Sequence, residues 1–275
     1  MKSTRSIRLA FLGAAVAFGT VAVAQKVAHK APTAEDWTAI AKLPDFTGVW
    51  EIGLGTPGGG RGVAAAAPAA NGPVPPGRPG GRGAPSLTPV YADKAKTQTA
   101  APRAEDDLTA NCLPPGLPMI MGQPYPMEFL MTPGQVTIVI EAYNQIRHIY
   151  TDGRPVPADP DPTFYGTSIG HWEGDTLVSE TVGFAQVQRG ISFPYSDKMK
   201  IVERFRLTAP DTMNIETTIV DPEALTVPYS MGFRTLTRHR SWTIAEYICE
   251  ENNRNFLDEK GKAGIKLANP DASPR

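Results

Sequence analysis

From Met127 onward the chain is a succession of short apolar runs, each ended by residues that turn the backbone. No other feature restricts the fold as much, because runs of this length with period-two alternation suit strands and are too short for packed helices. Strands are predicted at Met127–Met131, Gln135–Ala142, Gln145–Thr151, Gly166–Trp172, Thr176–Phe184, Lys200–Leu207, Met213–Val220 and Thr235–Ile248. Four connections are short enough for hairpins: Pro133-Gly134, Tyr143-Asn144, Glu173-Gly174-Asp175 and Ala209-Pro210-Asp211. Consecutive hairpins make an antiparallel meander, and eight or nine strands in that order close into a barrel. The expected fold class is therefore mainly β, in one domain spanning residues 87–257 and followed by a polar tail, residues 258–275.

The segment before it adds one strand and two short helices. Asp45 to Glu51 reads as a strand, within an N-terminal segment spanning residues 25–54. Its Gly48-Val49-Trp50 is compatible with the first strand of a lipocalin-like (calycin-type) barrel, where a Trp plugs the closed end; a core Trp of any β-domain is the plainer reading. Thr33 to Leu43 suits a helix with Thr33 as N-cap and Glu35 and Asp36 in its first turn. Thr88 to about Thr99 suits another, with Pro89 in its first turn. Between Gly55 and Ser86, 32 residues contain 10 Gly, 7 Pro and 7 Ala. Such a stretch buries too little apolar surface to offset the entropy of ordering, so a disordered insert is expected there.

Residues 1–24 read as an export signal. Lys2, Arg5 and Arg8 precede an apolar run from Leu9 to Ala24, which closes on Ala22-Val23-Ala24, small residues suited to cleavage before Gln25. The run falls short of the roughly 20 apolar residues of a membrane span. The expectation is a periplasmic or secreted protein with no stable membrane insertion after processing. Removing those three basic residues from 27 leaves 24 against 28 acidic ones. That balance gives no field for phosphates, so nucleic acid is not an expected partner. Cys112 and Cys249 are the two cysteines. An even pair outside the cytoplasm points to a disulfide, with two buried thiols, catalysis or metal binding as the alternatives.

The chain from Leu87 to about Arg254 resembles a functionally uncharacterised family of exported bacterial proteins. The resemblance rests on Cys112-Leu113-Pro114-Pro115-Gly116-Leu117-Pro118, on Arg147-His148-Ile149-Tyr150-Thr151-Asp152-Gly153-Arg154 and on Thr181-Val182-Gly183-Phe184. Its most specific part is Gly166-Thr167-Ser168-Ile169-Gly170-His171-Trp172-Glu173-Gly174-Asp175-Thr176-Leu177-Val178. The resemblance implies export and brings no activity. Members often carry His where this chain has Val156, Tyr195 and Glu250, so any chemistry resting on those histidines is expected to be lost or replaced here.

Candidate site residues follow from chemistry and alternation. In Lys200–Leu207, Ile201, Glu203, Phe205 and Leu207 share one face, so Glu203 lies among apolar residues and needs a partner such as Arg147 or Arg238. Glu203, His239 and Glu250 are candidate acids or bases. Arg147, Tyr150, Asp152, Arg154, His171, Trp172, Arg204, Asn252 and Arg254 are candidate ligand-binding residues, Arg154 through a carboxylate at the barrel mouth unless it only fixes a turn with an Asp. Trp172-Glu173-Gly174-Asp175 is simplest as a hairpin turn. His148, His171 and His239 fall on three strands without metal-ligand spacing, so no metal is expected. Nucleophile-elbow, phosphate-loop, dinucleotide, haem and calcium signatures are missing, and no cofactor is expected. Barrels of about eight strands hold one small ligand. The functional expectation is a module binding a small, largely hydrophobic or aromatic compound, with a cofactor-independent lyase, isomerase or hydrolase as the alternative.

Overall fold

Strand alternation and turn chemistry together close the chain into a barrel. The computed structural model describes residues 31–52, 84–98, 112–185, 191, 193–249, 255–257 and 263–265. The chain divides into Met1–Pro32 and Thr33–Arg275, and the barrel belongs to the second unit. The expected export signal lies outside the described residues, as does the insert apart from residues 84–86.

Nine strands form the barrel: β1 (Gly48–Ile52), β2 (Met127–Thr132), β3 (Gln135–Ile140), β4 (Gln145–Tyr150), β5 (Thr167–Glu173), β6 (Thr176–Val182), β7 (Lys200–Ala209), β8 (Thr212–Val220) and β9 (Tyr229–His239). Each pairs with the next, and β1 closes the ring on β9. A separate two-stranded sheet joins β10 (Asn255–Leu257) to β11 (Ala263–Ile265). Helix α1 (Ala34–Ile40) starts on a capping box between Thr33 and Asp36, and α2 (Pro89–Gln98) begins at its proline. Among the described residues no helix is long and apolar enough to cross a membrane.

β3 shows why the strands curl inward. Val136, Ile138 and Ile140 are buried while Gln135, Thr137 and Val139 alternate with them. The same phase holds in β7 and β8, where Ile201, Glu203 and Phe205 face Ile219, Thr217 and Ile215. At the β5–β6 turn, Gly174 has φ +61° with open space around it, so conformation alone selects glycine there.

Two expectations are corrected. The meander is not wholly antiparallel: β4 and β5 pair in parallel through Ile149–Ser168 and Tyr150–Ile169. A parallel neighbour needs a returning connection, which residues 151–166 supply, so no hairpin is possible there. The last strand runs Tyr229–His239 rather than Thr235–Ile248. Its partner β1 ends at Gly48, one position beyond the Val49–His239 pair, and the chain then turns as Trp242 N–H donates to the His239 carbonyl. Its start is hidden in the sequence by Gly232 and a register shift at Thr217/Thr218, which interrupt the alternation.

One end of the barrel is shut by Trp50 and Arg238. The Arg238 guanidinium lies 4.5 Å from the Trp50 ring centre. It also donates to the carbonyls of Asp45, Thr47 and Pro210 and to the Asp45 carboxylate. Trp50 Nε1–H donates to the Phe46 carbonyl. These bonds fasten the chain entering β1 to β9 and to the turn between β7 and β8. Toward the other end, Leu117, Ile120 and Met121 from the segment before β2 are fully buried in the same core. The Cys112–Cys249 disulfide ties that segment to the chain after β9.

Candidate functional site

Because residues paired across antiparallel strands share a face, the ladder identifies which side chains enter the barrel. Arg147 stands opposite Ile138, Ser179 opposite Glu203, Glu203 opposite Thr217 and Arg234 opposite Ile215. All of these point inward with the apolar positions. The interior therefore contains a polar layer within a core of Phe129, Ile138, Ile149, Phe205 and Ile215.

Arg147 and Glu203 form its centre. Both are buried, and Arg147 Nη2 donates to Glu203 Oε2. Arg147 Nε and Nη2 donate to Ser168 Oγ at 3.2 Å, and Nη2 also to Thr181 Oγ1 at 3.2 Å and Ser179 Oγ at 3.5 Å. Ser168 and Thr181 hydroxyls bond each other at 2.8 Å. Of the two partners the alternation allowed for Glu203, Arg147 takes the role; Arg238 is committed at the closed end. The layer is not fully satisfied. Arg147 Nη1, Glu203 Oε1, Thr217 Oγ1 and the Tyr165 hydroxyl are buried without a hydrogen-bond partner among the described residues. Burial pushes the Tyr165 phenol above its ordinary range, and Tyr143 adds to the effect.

The resemblance motif in β5 and β6 builds one wall of this layer. Ser168, Gly170 and Trp172 face inward opposite Thr181, Ser179 and Leu177. A Cβ on Gly170 would lie 2.7 Å from Ile149 Cγ2, so the strand can approach β4 only with glycine there. Trp172 packs at the closed end, its ring 5.2 Å from Phe46.

The other sequence candidates lie elsewhere. His239 is on the outer face, stacked 3.7 Å from Trp242, with Nε2 3.3 Å from Glu51 Oε2. It does not meet Glu203, because the barrel wall separates them. Half-buried Arg204 and exposed His171 both reach Glu173, at 2.7 and 3.2 Å, and together hold its carboxyl below the usual range. Tyr150, Asp152 and Arg154 come together at the end of β4. Arg154 donates to both Asp152 oxygens and lies 3.9 Å over the Tyr150 ring. That arrangement fixes the turn and keeps the Asp152 carboxyl low. His148 meets Gln135 and Thr137 on the outer face. The three strand histidines do not converge, and no cluster of metal-ligating side chains occurs among the described residues. Glu250, Asn252 and Arg254 lie outside the described residues.

No protein-family model matches the chain. No curated protein matches it closely enough to count as a relative. The site must therefore be read from its own chemistry.

Sequence reasoning missed Arg234, Thr217, Ser168, Ser179, Thr181 and Tyr165. For Arg234 a signal existed: Arg234, Leu236 and Arg238 alternate, so one arginine facing inward implies the other. The serines and threonines carry no such signal, since hydroxyl side chains suit either face of a strand.

Proposed function

We propose that the barrel binds a small, largely hydrophobic or aromatic compound in its interior, outside the cytoplasm. The observation that carries this reading is the unsatisfied polar layer within an apolar core. Buried polar atoms almost always have partners, and ligand sites combine apolar walls with a few placed polar groups. Arg147 Nη1, Glu203 Oε1 and Thr217 Oγ1 are such groups. The Cys112–Cys249 bridge supports the location, since disulfides persist in oxidising compartments.

The neutral fluorophore N-phenyl-1-naphthylamine tests the reading on the oxidised chain. The expected result is a saturable rise in emission at one probe per chain with a raised melting temperature. Non-saturating emission without thermal stabilisation would mean adsorption to the surface and would sink the proposal.

A cofactor-independent enzyme is the second reading, favoured by Glu203 Oε1 facing the interior without a donor. A carboxylate in that position can take a proton from a bound molecule. The readings separate by recovering the bound compound: a binder returns it unchanged, an enzyme does not.

A further inference from the structure

Among the described residues, three charged side chains face the interior within the polar layer: Arg147, Glu203 and Arg234. Two are cationic and one anionic, so the layer carries an excess of one positive charge. Glu203 is already engaged by Arg147. Arg234 makes no ion pair or hydrogen bond among the described residues, yet it stands opposite the fully buried Ile215. Its guanidinium occupies the space beside Gly122, where an added Cβ would lie 3.0 Å from Arg234 Nε and 3.3 Å from Nη2. Gly122 ends the turn Ile120–Gly122, whose Ile120 and Met121 are fully buried. Burial pushes the Arg234 pKa below that of an ordinary guanidinium, and the charge of Glu203 opposes that shift. Gly232, two residues before Arg234, stands opposite Thr217 and contributes no side chain between them.

Arg234 is half-buried; its guanidinium stays protonated, and where water is partly excluded it attracts an anion more strongly than in bulk water. Glu203, the anion of the layer, is engaged by Arg147, and no described residue pairs with Arg234. We infer that the compound held in the barrel is a monocarboxylate with an apolar body, and that Arg234 binds its carboxylate. The planar fork of a guanidinium matches a carboxylate bidentately. A single negative charge balances the excess, whereas a doubly charged phosphate monoester would reverse it. Arg147 Nη1 and the Thr217 hydroxyl, both buried and unpartnered among the described residues, are further donors in the same layer. This inference rests on the binding reading above and specifies its ligand class.

The test compares naphthalene-2-carboxylate with naphthalene-2-carboxamide by calorimetric titration of the oxidised chain at neutral pH. The acid is expected to bind at least about tenfold more tightly, the usual advantage of a charge-assisted hydrogen bond. Arg234→Met removes the charge at similar length and should reduce the acid to the affinity of the amide, leaving the amide within about twofold of its original value. Arg234→Lys keeps the charge without the fork and should fall between; it also serves if the Met variant does not fold. Equal affinity of acid and amide, or equal weakening of both by Arg234→Met, overturns the inference. If the amide and N-phenyl-1-naphthylamine still bind in that case, the barrel-binding reading survives. If neither naphthalene probe nor the fluorophore binds, both fall.

Discussion

Removing one member of the Arg147–Glu203 pair should harm the fold far more than removing both. Both side chains are essentially inaccessible to water, at 1% and 0% exposure. Glu203→Gln therefore leaves the Arg147 charge buried among Ser168, Ser179 and Thr181, whose hydroxyls are dipoles and cannot neutralise it. Breaking a buried pair this way costs about 3–5 kcal/mol. For a domain of this size that lowers the melting temperature by roughly 6–20 °C. Combining Glu203→Leu with Arg147→Met removes both charges at similar volume. Their attraction is lost, but so is the desolvation of both, together with the unpaired Arg147 Nη1 and Glu203 Oε1, each costing about 1–3 kcal/mol while unmet. Ser168 and Thr181 keep the bond they already share.

The double variant is thus expected within about 2 kcal/mol of the parent, on either side of it. Urea denaturation of the oxidised chain, with the two single variants completing the cycle, measures the coupling. Near-additive losses in the double variant would refute the reasoning, for they would show the pair supporting the barrel in its own right. A Glu203→Gln loss below about 1 kcal/mol would refute it differently, by showing that water reaches the layer. The outcome bears on function: a charge pair that stabilises little but is retained in a core has its use in what it contacts.

Three further outcomes come from the geometry. Gly166→Ala should destabilise more than Gly174→Ala, because a Cβ at 166 would lie 2.4 Å from the Val182 carbonyl oxygen while 174 meets open space; equal urea midpoints would contradict this. Replacing both Cys112 and Cys249 by Ser opens a sequence separation of 137 residues, and chain entropy places the loss at about 2–5 kcal/mol, measured by urea denaturation; an unchanged midpoint would show that the bridge restrains nothing. Asp45 has a folded pKa below its ordinary value: burial acts to raise it, but bonds from Thr47 and Arg238 together prevail. Its contribution is complete above about pH 4 and is lost as the pH falls through the lowered folded value, so Asp45→Asn should flatten the acid limb of the urea midpoint against pH, and a parallel limb would refute the assignment.

The barrel was legible because its signal is local. Ile201, Glu203 and Phe205 alternate with Val202 and Arg204, and that phase alone places a carboxylate among apolar side chains. The hairpins at Gly134 and Gly174 were legible for the same reason, each being a backbone conformation that few residues adopt. What was lost was long-range. The parallel β4–β5 pair depends on where residues 151–166 return the chain, which no local pattern encodes. The bulge at Gly232 hid the start of β9, and with it the inward phase that carries Arg234.

The site was legible only where a residue type contradicted its face. Glu203 stood out as a charge among aliphatics, and the same test finds Arg147 once β4 is given its phase with Ile149. His239 and His171 stood out for their chemistry, yet each sits one position out of phase with the interior: His239 follows the inward Arg238, and His171 lies between the inward Gly170 and Trp172. Reactive type without phase therefore selected outer-wall residues, and phase without reactive type passed over Thr217 and Ser179. Using both requires knowing which strands are neighbours. That is why β9, whose neighbours β8 and β1 are distant from each other in sequence, held the cation on which the ligand assignment turns.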